Sequence, residues 1–441
     1  RLLEEVAGRI HKGLNYRELL AALLLAGVRT VQPRPVGFKF HAVLVVNSAH
    51  LASIASPDSD RWLPIFWALD YFKDSQAATA LDTGWRMGPL DESKVPSARK
   101  ARQAFVDAMD RWDEGAADIA VAGLARSAGA NEVFELFVRY GARDFRDIGH
   151  KAIFVANSWR TLQCIGWQHA EPVLRSLAYA LQEHGNDNPA KVDAPADRPW
   201  RRNKELAAKI QADWQEGKPS DEATADMLAV LRQGSDEEAC EKVVALLNKG
   251  VAPQSVWDAL FAGAGELLMR QPGIVPLHSV TSTNALHFGY QNSGNDETRR
   301  MLLLQNAAFL PLFRARMEAN GLPKLRIDEV EALPPKTSGA EAIGEIFADV
   351  GKDRMTAARK TLAYLKENPQ PKELMDAARL LIFLKGTDSH DYKFSSAILE
   401  DYGQVSPSWR NRCLAAGMFQ LRGSGAKDNP VAERTRAALK A

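Results

Sequence analysis

The sequence predicts an all-α protein, a single all-helical domain over residues 1–441 arranged as an array or toroid of four helical quasi-repeats. Three observations point there. Apolar residues recur at the 3.6-residue spacing of an amphipathic helix along the whole chain, and no run alternates apolar and polar residues as a strand would. Four segments share one plan: a helix, a short turn, a second helix, a loop, then a histidine near the start of a third helix. The turns between paired helices, "KGLNY", "AGANE", "KGVAPQ" and "NPQPKE", place Gly, Asn or Pro where one helix stops and the next begins.

The first module, about residues 1–81, runs through "LLEEVAGRIHKGLNYRELLAALLLAG" into His41. The second, 98–183, runs through "ADIAVAGLARSAGANEVFELFVRYG" into His150, and the third, 204–324, through "ACEKVVALLNKGVAPQSVWDALFAGAGELLMR" into His278. The fourth, 342–441, runs through "MTAARKTLAYLKENPQPKELMDAARLLIFLKG" into His390. Successive histidines are 109, 128 and 112 residues apart, a spacing natural for quasi-repeats whose loops have drifted. Polar, proline-bearing stretches at 184–203 and 325–341, and an interruption at 82–97, fall between modules and are expected to be linkers.

Composition narrows the partners. The chain is 46% apolar and 25% charged with a net charge of +1, the profile of an ordinary globular protein with ample core. Basic and acidic residues are interspersed throughout, so no stripe offers a phosphate footprint for nucleic acid. The longest apolar run, "LLAALLLAGV", is too short to span a bilayer, so no membrane partner is expected. Three widely separated cysteines, Cys164, Cys240 and Cys413, argue against a disulfide framework and for a reducing, cytoplasmic setting, with a targeting segment ahead of Arg1 left open.

Of the nine histidines, His41, His150, His278 and His390 occupy the same place in their modules. A lone buried histidine is usually a satisfied core residue. Four that recur need four hydrogen-bond partners, and a metal at the meeting point of the modules supplies one to all. Imidazole suits iron, zinc, copper or nickel, and the lack of thiolates disfavours a structural zinc site. His50 and His287 each follow a site histidine by nine residues, about two and a half turns, and so are expected in the surrounding packing. His169 precedes a separate helix and is a candidate substrate contact.

Asn47, Asn157 and Asn284 follow their histidines by six, seven and six residues, which places three amides on one cavity wall. Thr281 and Thr283 add hydroxyls, although threonine on a buried helix often bonds its own backbone. Lys393, three residues after His390, shares its face. A lysine there either snorkels to solvent or is desolvated, and a desolvated amine can take up carbon dioxide as a carbamate and become an anionic oxygen ligand.

Three stretches, "HDYK", "PLHSVTSTNAL" followed by "RRMLLLQNAAFLPLF", and "GHKAIFVANSWRTL", resemble the questin oxidase-like family of helical oxidoreductases. What the resemblance implies is a dioxygen-dependent enzyme that opens rings of anthraquinone-type aromatics. It further implies a mononuclear non-haem Fe(II), or another divalent transition metal, held by His41, His150, His278, His390 and a carboxylated Lys393, with one position open. The chain departs from the family at Phe154, where a second histidine four residues after His150 would stand.

The expected function is therefore an iron-dependent oxygenase, a C–C-cleaving dioxygenase or one of Baeyer–Villiger type, acting on a hydroxylated aromatic or quinone with dioxygen. Catalytic roles are expected for Lys393, Asn157, Asn284 and His169. Trp62, Phe66, Trp67, Trp159 and Trp167 offer aromatic surface for a flat substrate or, as tryptophans in helical proteins more often do, core packing. The alternatives are a metal-dependent hydrolase, for which Asp388 and Asp391 are the best bases, and a non-catalytic helical scaffold. No nicotinamide or flavin fingerprint is visible. Composition leaves the oligomeric state open.

Overall fold

The computed structural model describes residues 1–318 and 321–440. Among these residues there are twenty-one α-helices, short 3-10 segments and no strand, with one isolated bridge between Lys218 and Val251. The all-α expectation holds.

Four helices form the centre: α1 (His41–Ile54), α2 (His150–Ile165), α3 (Ile274–Asn292) and α4 (Ser389–Asp401). α1 packs on α2 and α4, and α3 packs on the same two, so the four close into a ring. Their sequences suit an interior position. α1 buries 11 of its 14 residues and α2 buries 13 of 16, whereas a surface helix buries one stripe. α3 is rich in hydroxyls yet buried, because Ser279 donates to the Pro276 carbonyl at 2.7 Å and Thr281 to that of Leu277 at 3.3 Å. Back-bonding of this kind satisfies a hydroxyl without any outside partner.

Each central helix follows a pair joined by a short turn. Leu2–His11 and Tyr16–Thr30 precede α1; Glu114–Ser127 and Ala130–Gly141 precede α2. Asp236–Asn248 and Pro253–Arg270 precede α3, and Arg354–Glu367 and Lys372–Lys385 precede α4. The Asn15 side chain accepts from Glu18 N–H in a capping box that starts the second helix of the first pair.

Two expected linkers are more ordered than their composition suggests. Helix Arg198–Lys209 begins inside 184–203, since Pro199 lies in its first turn, where a missing N–H is harmless. In 325–341, Ile327 is buried and its N–H donates to Glu266 at 3.0 Å, while Arg232 joins Glu266 and Asp328. The charges that read as a loose boundary form an ion-paired anchor instead.

Candidate metal centre

His41 and His150 are the first residues of α1 and α2, His390 the second of α4, and His278 the fifth of α3. Because the ring gathers these N-termini at one end, one nitrogen from each of the four rings lies within 4.8 Å of the other three. The Nε2 atoms of His41 and His150 are 2.9 Å apart. Ring centroids are 4.2 Å apart for His150 and His278 and 4.4 Å for His41 and His390.

These separations fit a metal. Nitrogens bonded at about 2.1 Å lie about 3.0 Å apart as neighbours and about 4.2 Å apart as opposite ligands, so a few tenths of an ångström of movement suffices. The rings are also presented correctly. His150 Nδ1 lies 2.6 Å from the Asp147 carbonyl and His278 Nδ1 2.7 Å from the Ile274 carbonyl, which makes each Nδ1 the donor and leaves Nε2 as a lone pair. Nε2 of His278 and of His390 is buried without a partner. Burial drives the pKa of His41, His150 and His278 well below the usual histidine value, and a protonated Lys393 pushes all three further down. Neutral imidazole is the metal-binding form.

The loops entering the helices break local rules to make room. α1, α2 and α3 have no side-chain cap at their N-termini; main-chain carbonyls take the His41 and His150 N–H groups, that of Asp147 at 2.9 Å from His150, and the positive ends of α1 and α2 lie at the cluster. Gly37, at φ +128°, approaches His150 so closely that a Cβ there would lie 3.3 Å from Nε2. Gly149, at φ +83°, seats the start of α2 on α3, where a Cβ would meet the Ser282 side chain at 2.4 Å. Lys151, buried beside His150, is tied to Asp144 at 2.8 Å and to the Glu183 carbonyl at 2.6 Å.

Lys393 faces inward. It is 3% exposed, its Nζ has no partner, and desolvation lowers its pKa to about 7 despite the opposing charge of Asp388. Beyond it a polar cleft of about 10 Å³, room for roughly one water, runs between the four helices and includes Asn47, Asn157, Thr281 and Asn284. Asn47 donates to Asn157 at 3.4 Å, and Asn157 to the Leu44 carbonyl at 3.0 Å. The cleft ends at an ionic node. Arg160 donates to Glu400 at 2.6 Å and to Asn284 at 3.2 Å, and Asn284 donates to Glu400 at 2.8 Å and to Asp401 at 2.7 Å. Asp401 is fully buried, which raises its pKa well above the carboxylate range.

Other predicted residues lie elsewhere. His169 is half-buried past the C-terminal end of α2, while His150 starts that helix, about 22 Å away along 15 residues; it does not line the cleft. His50 bonds the Tyr16 hydroxyl at 2.8 Å, and His287 packs edge-on against Trp257. Thr283 bonds Asn306. The five aromatic residues are packing groups: Trp67 stacks on Tyr392, while Trp159 packs tilted against Phe134 and edge-on against Trp167, and Trp62 packs tilted against Tyr16 and edge-on against Phe66. Phe154 is buried edge-on against Phe40. Asp391 is committed to Arg422 at 2.6 and 2.9 Å.

No family model matches this chain, and comparison with curated proteins and with solved structures gives no match. Arg160, Glu400, Asp401 and Gly37 were not singled out from the sequence. The repeat of Arg160 and Glu400 ten residues after His150 and His390 was the available signal.

Proposed function

We propose that the chain is a metal-dependent oxidoreductase, a non-haem iron oxygenase acting on a hydroxylated aromatic or quinone-type substrate, with C–C cleavage as the reaction type. The observation that carries this reading is the convergence of four imidazoles, three of them buried and held neutral, on one point beside a desolvated amine. His41, His150, His278 and His390 would hold the metal. When bound, ferrous iron supplies the binding and reduction of dioxygen.

Lys393 is assigned as an anionic ligand. Its neutral amine nitrogen attacks the carbon of carbon dioxide, one C=O π pair moves onto oxygen as the N–C bond forms, and a proton passes from nitrogen to water, leaving a carbamate anion. Electrostatics favours this: four neutral imidazoles give a dication no charge compensation, and the gathered helix N-termini add positive potential. A carbamate offsets both. Asn157 and Asn284 hold the cleft wall, and an opening of about one water keeps a flat aromatic out of it. The organic substrate is assigned to the loop side, where Phe38 and Ile274, beside the entries to α1 and α3, are 74% and 50% exposed.

The hydrolase reading is weaker, since it wants a free carboxylate base. Asp391 is bound by Arg422, and Asp388 lies behind His390. A scaffold reading leaves the convergence of histidines unexplained. The test is metal analysis of protein purified from iron-replete cells, followed by oxygen uptake with a hydroxyanthraquinone as probe. Iron with probe-dependent uptake supports the proposal; bound metal without uptake over a panel of phenolic probes overturns it.

A further inference from the structure

Three of the four imidazoles have partners behind the ring, and those partners differ in kind. His150 and His278 meet neutral main-chain carbonyls, those of Asp147 and Ile274, at 2.6 and 2.7 Å. His390 Nδ1 instead lies 3.2 Å from the Asp388 carboxylate. A full negative charge behind an imidazole raises the electron density at the opposite nitrogen and fixes the ring's rotation; a carbonyl dipole does so less. In His390 the opposite nitrogen is Nε2, buried and unpartnered at the cluster.

The geometry points to Asp388 as a positioning residue of the metal centre, whose charge makes His390 the strongest of the four donors and links the buried cluster to a carboxylate at the surface. This rests on the reading that the cluster holds a metal. The Asp388 side chain is 52% exposed and that of His390 16% exposed, so the carboxylate stands at the boundary between solvent and site. The neighbouring acid cannot replace it, because Asp391 is buried and paired with Arg422.

Asp388 has a second task that a test must separate. The same Oδ1 accepts the His390 N–H at 2.7 Å and caps α4, so one atom sets both the backbone and the ring of the ligand. Asn and Ser cap helices about as well as Asp, and Asn also keeps an oxygen for the ring, but neither carries the charge. Asp388→Asn therefore removes charge while keeping cap and shape.

The experiment uses full-length metal-free protein, titrated with Co(II) against a competing chelator and followed by the visible cobalt bands, with a thermal melt of each apo variant. The expected result is a Co(II) Kd raised about 10–100-fold in Asp388→Asn, shifted cobalt bands and an unchanged apo melting temperature. Asp388→Ser, which also caps, should behave alike, while Asp388→Ala should lower the melting temperature as well. Wild-type Co(II) affinity in both Asp388→Asn and Asp388→Ser overturns the inference. Wild-type protein that binds no Co(II), Fe(II) or Zn(II) overturns the metal reading itself, a result told apart by the control alone.

Discussion

His41 and His150, 109 residues apart in the chain, place their Nε2 atoms 2.9 Å from each other. Since His150 Nδ1 donates to Asp147, the proton in this contact belongs to His41, and a metal taking its place requires that proton to move. His150→Ala should abolish bound metal and leave the His41 N–H buried without an acceptor. The expected cost to the apo protein is about 1–3 kcal/mol, with helical circular dichroism retained. Metal analysis and a urea melt check both parts; unchanged stoichiometry contradicts the site.

Lys393 should be a carbamate in the loaded protein. Carbon-13 bicarbonate should give a carbamate resonance that is absent in Lys393→Ala, and short carboxylates added to that variant should restore part of the metal binding. An unmodified lysine in loaded protein removes this ligand from the set.

The same lysine predicts a pH dependence of apo stability. Desolvation brings its pKa to about 7 in the folded state against the ordinary lysine value of 10.5, so between these the unfolded chain binds the extra proton. Stability from this group therefore rises with pH from about 7 to 10.5, and below 7 the fold carries a buried cation. Lys393→Met should stabilise apo protein, by more at pH 6 than at pH 10. Equal effects at the two values would show that the amine is not desolvated.

Gly37→Ala should disturb the centre without touching a ligand. Its φ of +128° with ψ of −153° disfavours any side chain, at about 1–3 kcal/mol, and the new methyl would press on His150 Nε2. Metal affinity should fall with stability. A stable variant of normal affinity would mean that the loop yields freely.

Asn284→Leu should separate fold from site. It removes the donor shared by Glu400 and Asp401 and the acceptor for Arg160, for an expected loss of about 2–3 kcal/mol. Metal content should remain near wild type, because Asn284 lies six residues past His278. Metal loss on this substitution would place the amide at the cluster.

What could be read from sequence was what repeats locally. The helical period and the turns between paired helices are short-range properties of neighbouring residues, and they held. So did the recurrent histidines and the amides six or seven residues beyond them, because helix geometry maps a spacing onto a face. Lys393 was readable in position but not in state, since snorkelling and burial share one spacing. His169, His50 and His287 are the same residue type at plausible helical places, and nothing local distinguishes them from ligands. The anchoring of 325–341 was not readable, because ion pairs such as Arg232 with Asp328 look in sequence like solvated charge.

The sequence by itself determined that this chain is helical, that four histidines recur at helix starts, and that a lysine and three amides share their faces. Only the tertiary structure decided that the four helix starts meet, that Gly37 leaves room at His150, and that Asp388 and two main-chain carbonyls aim three of the rings. The reason is physical. Periodicity is set by backbone geometry over a few residues, whereas bringing together nitrogens more than a hundred residues apart depends on how helices pack, and a pKa such as that of Lys393 depends on the water that packing excludes.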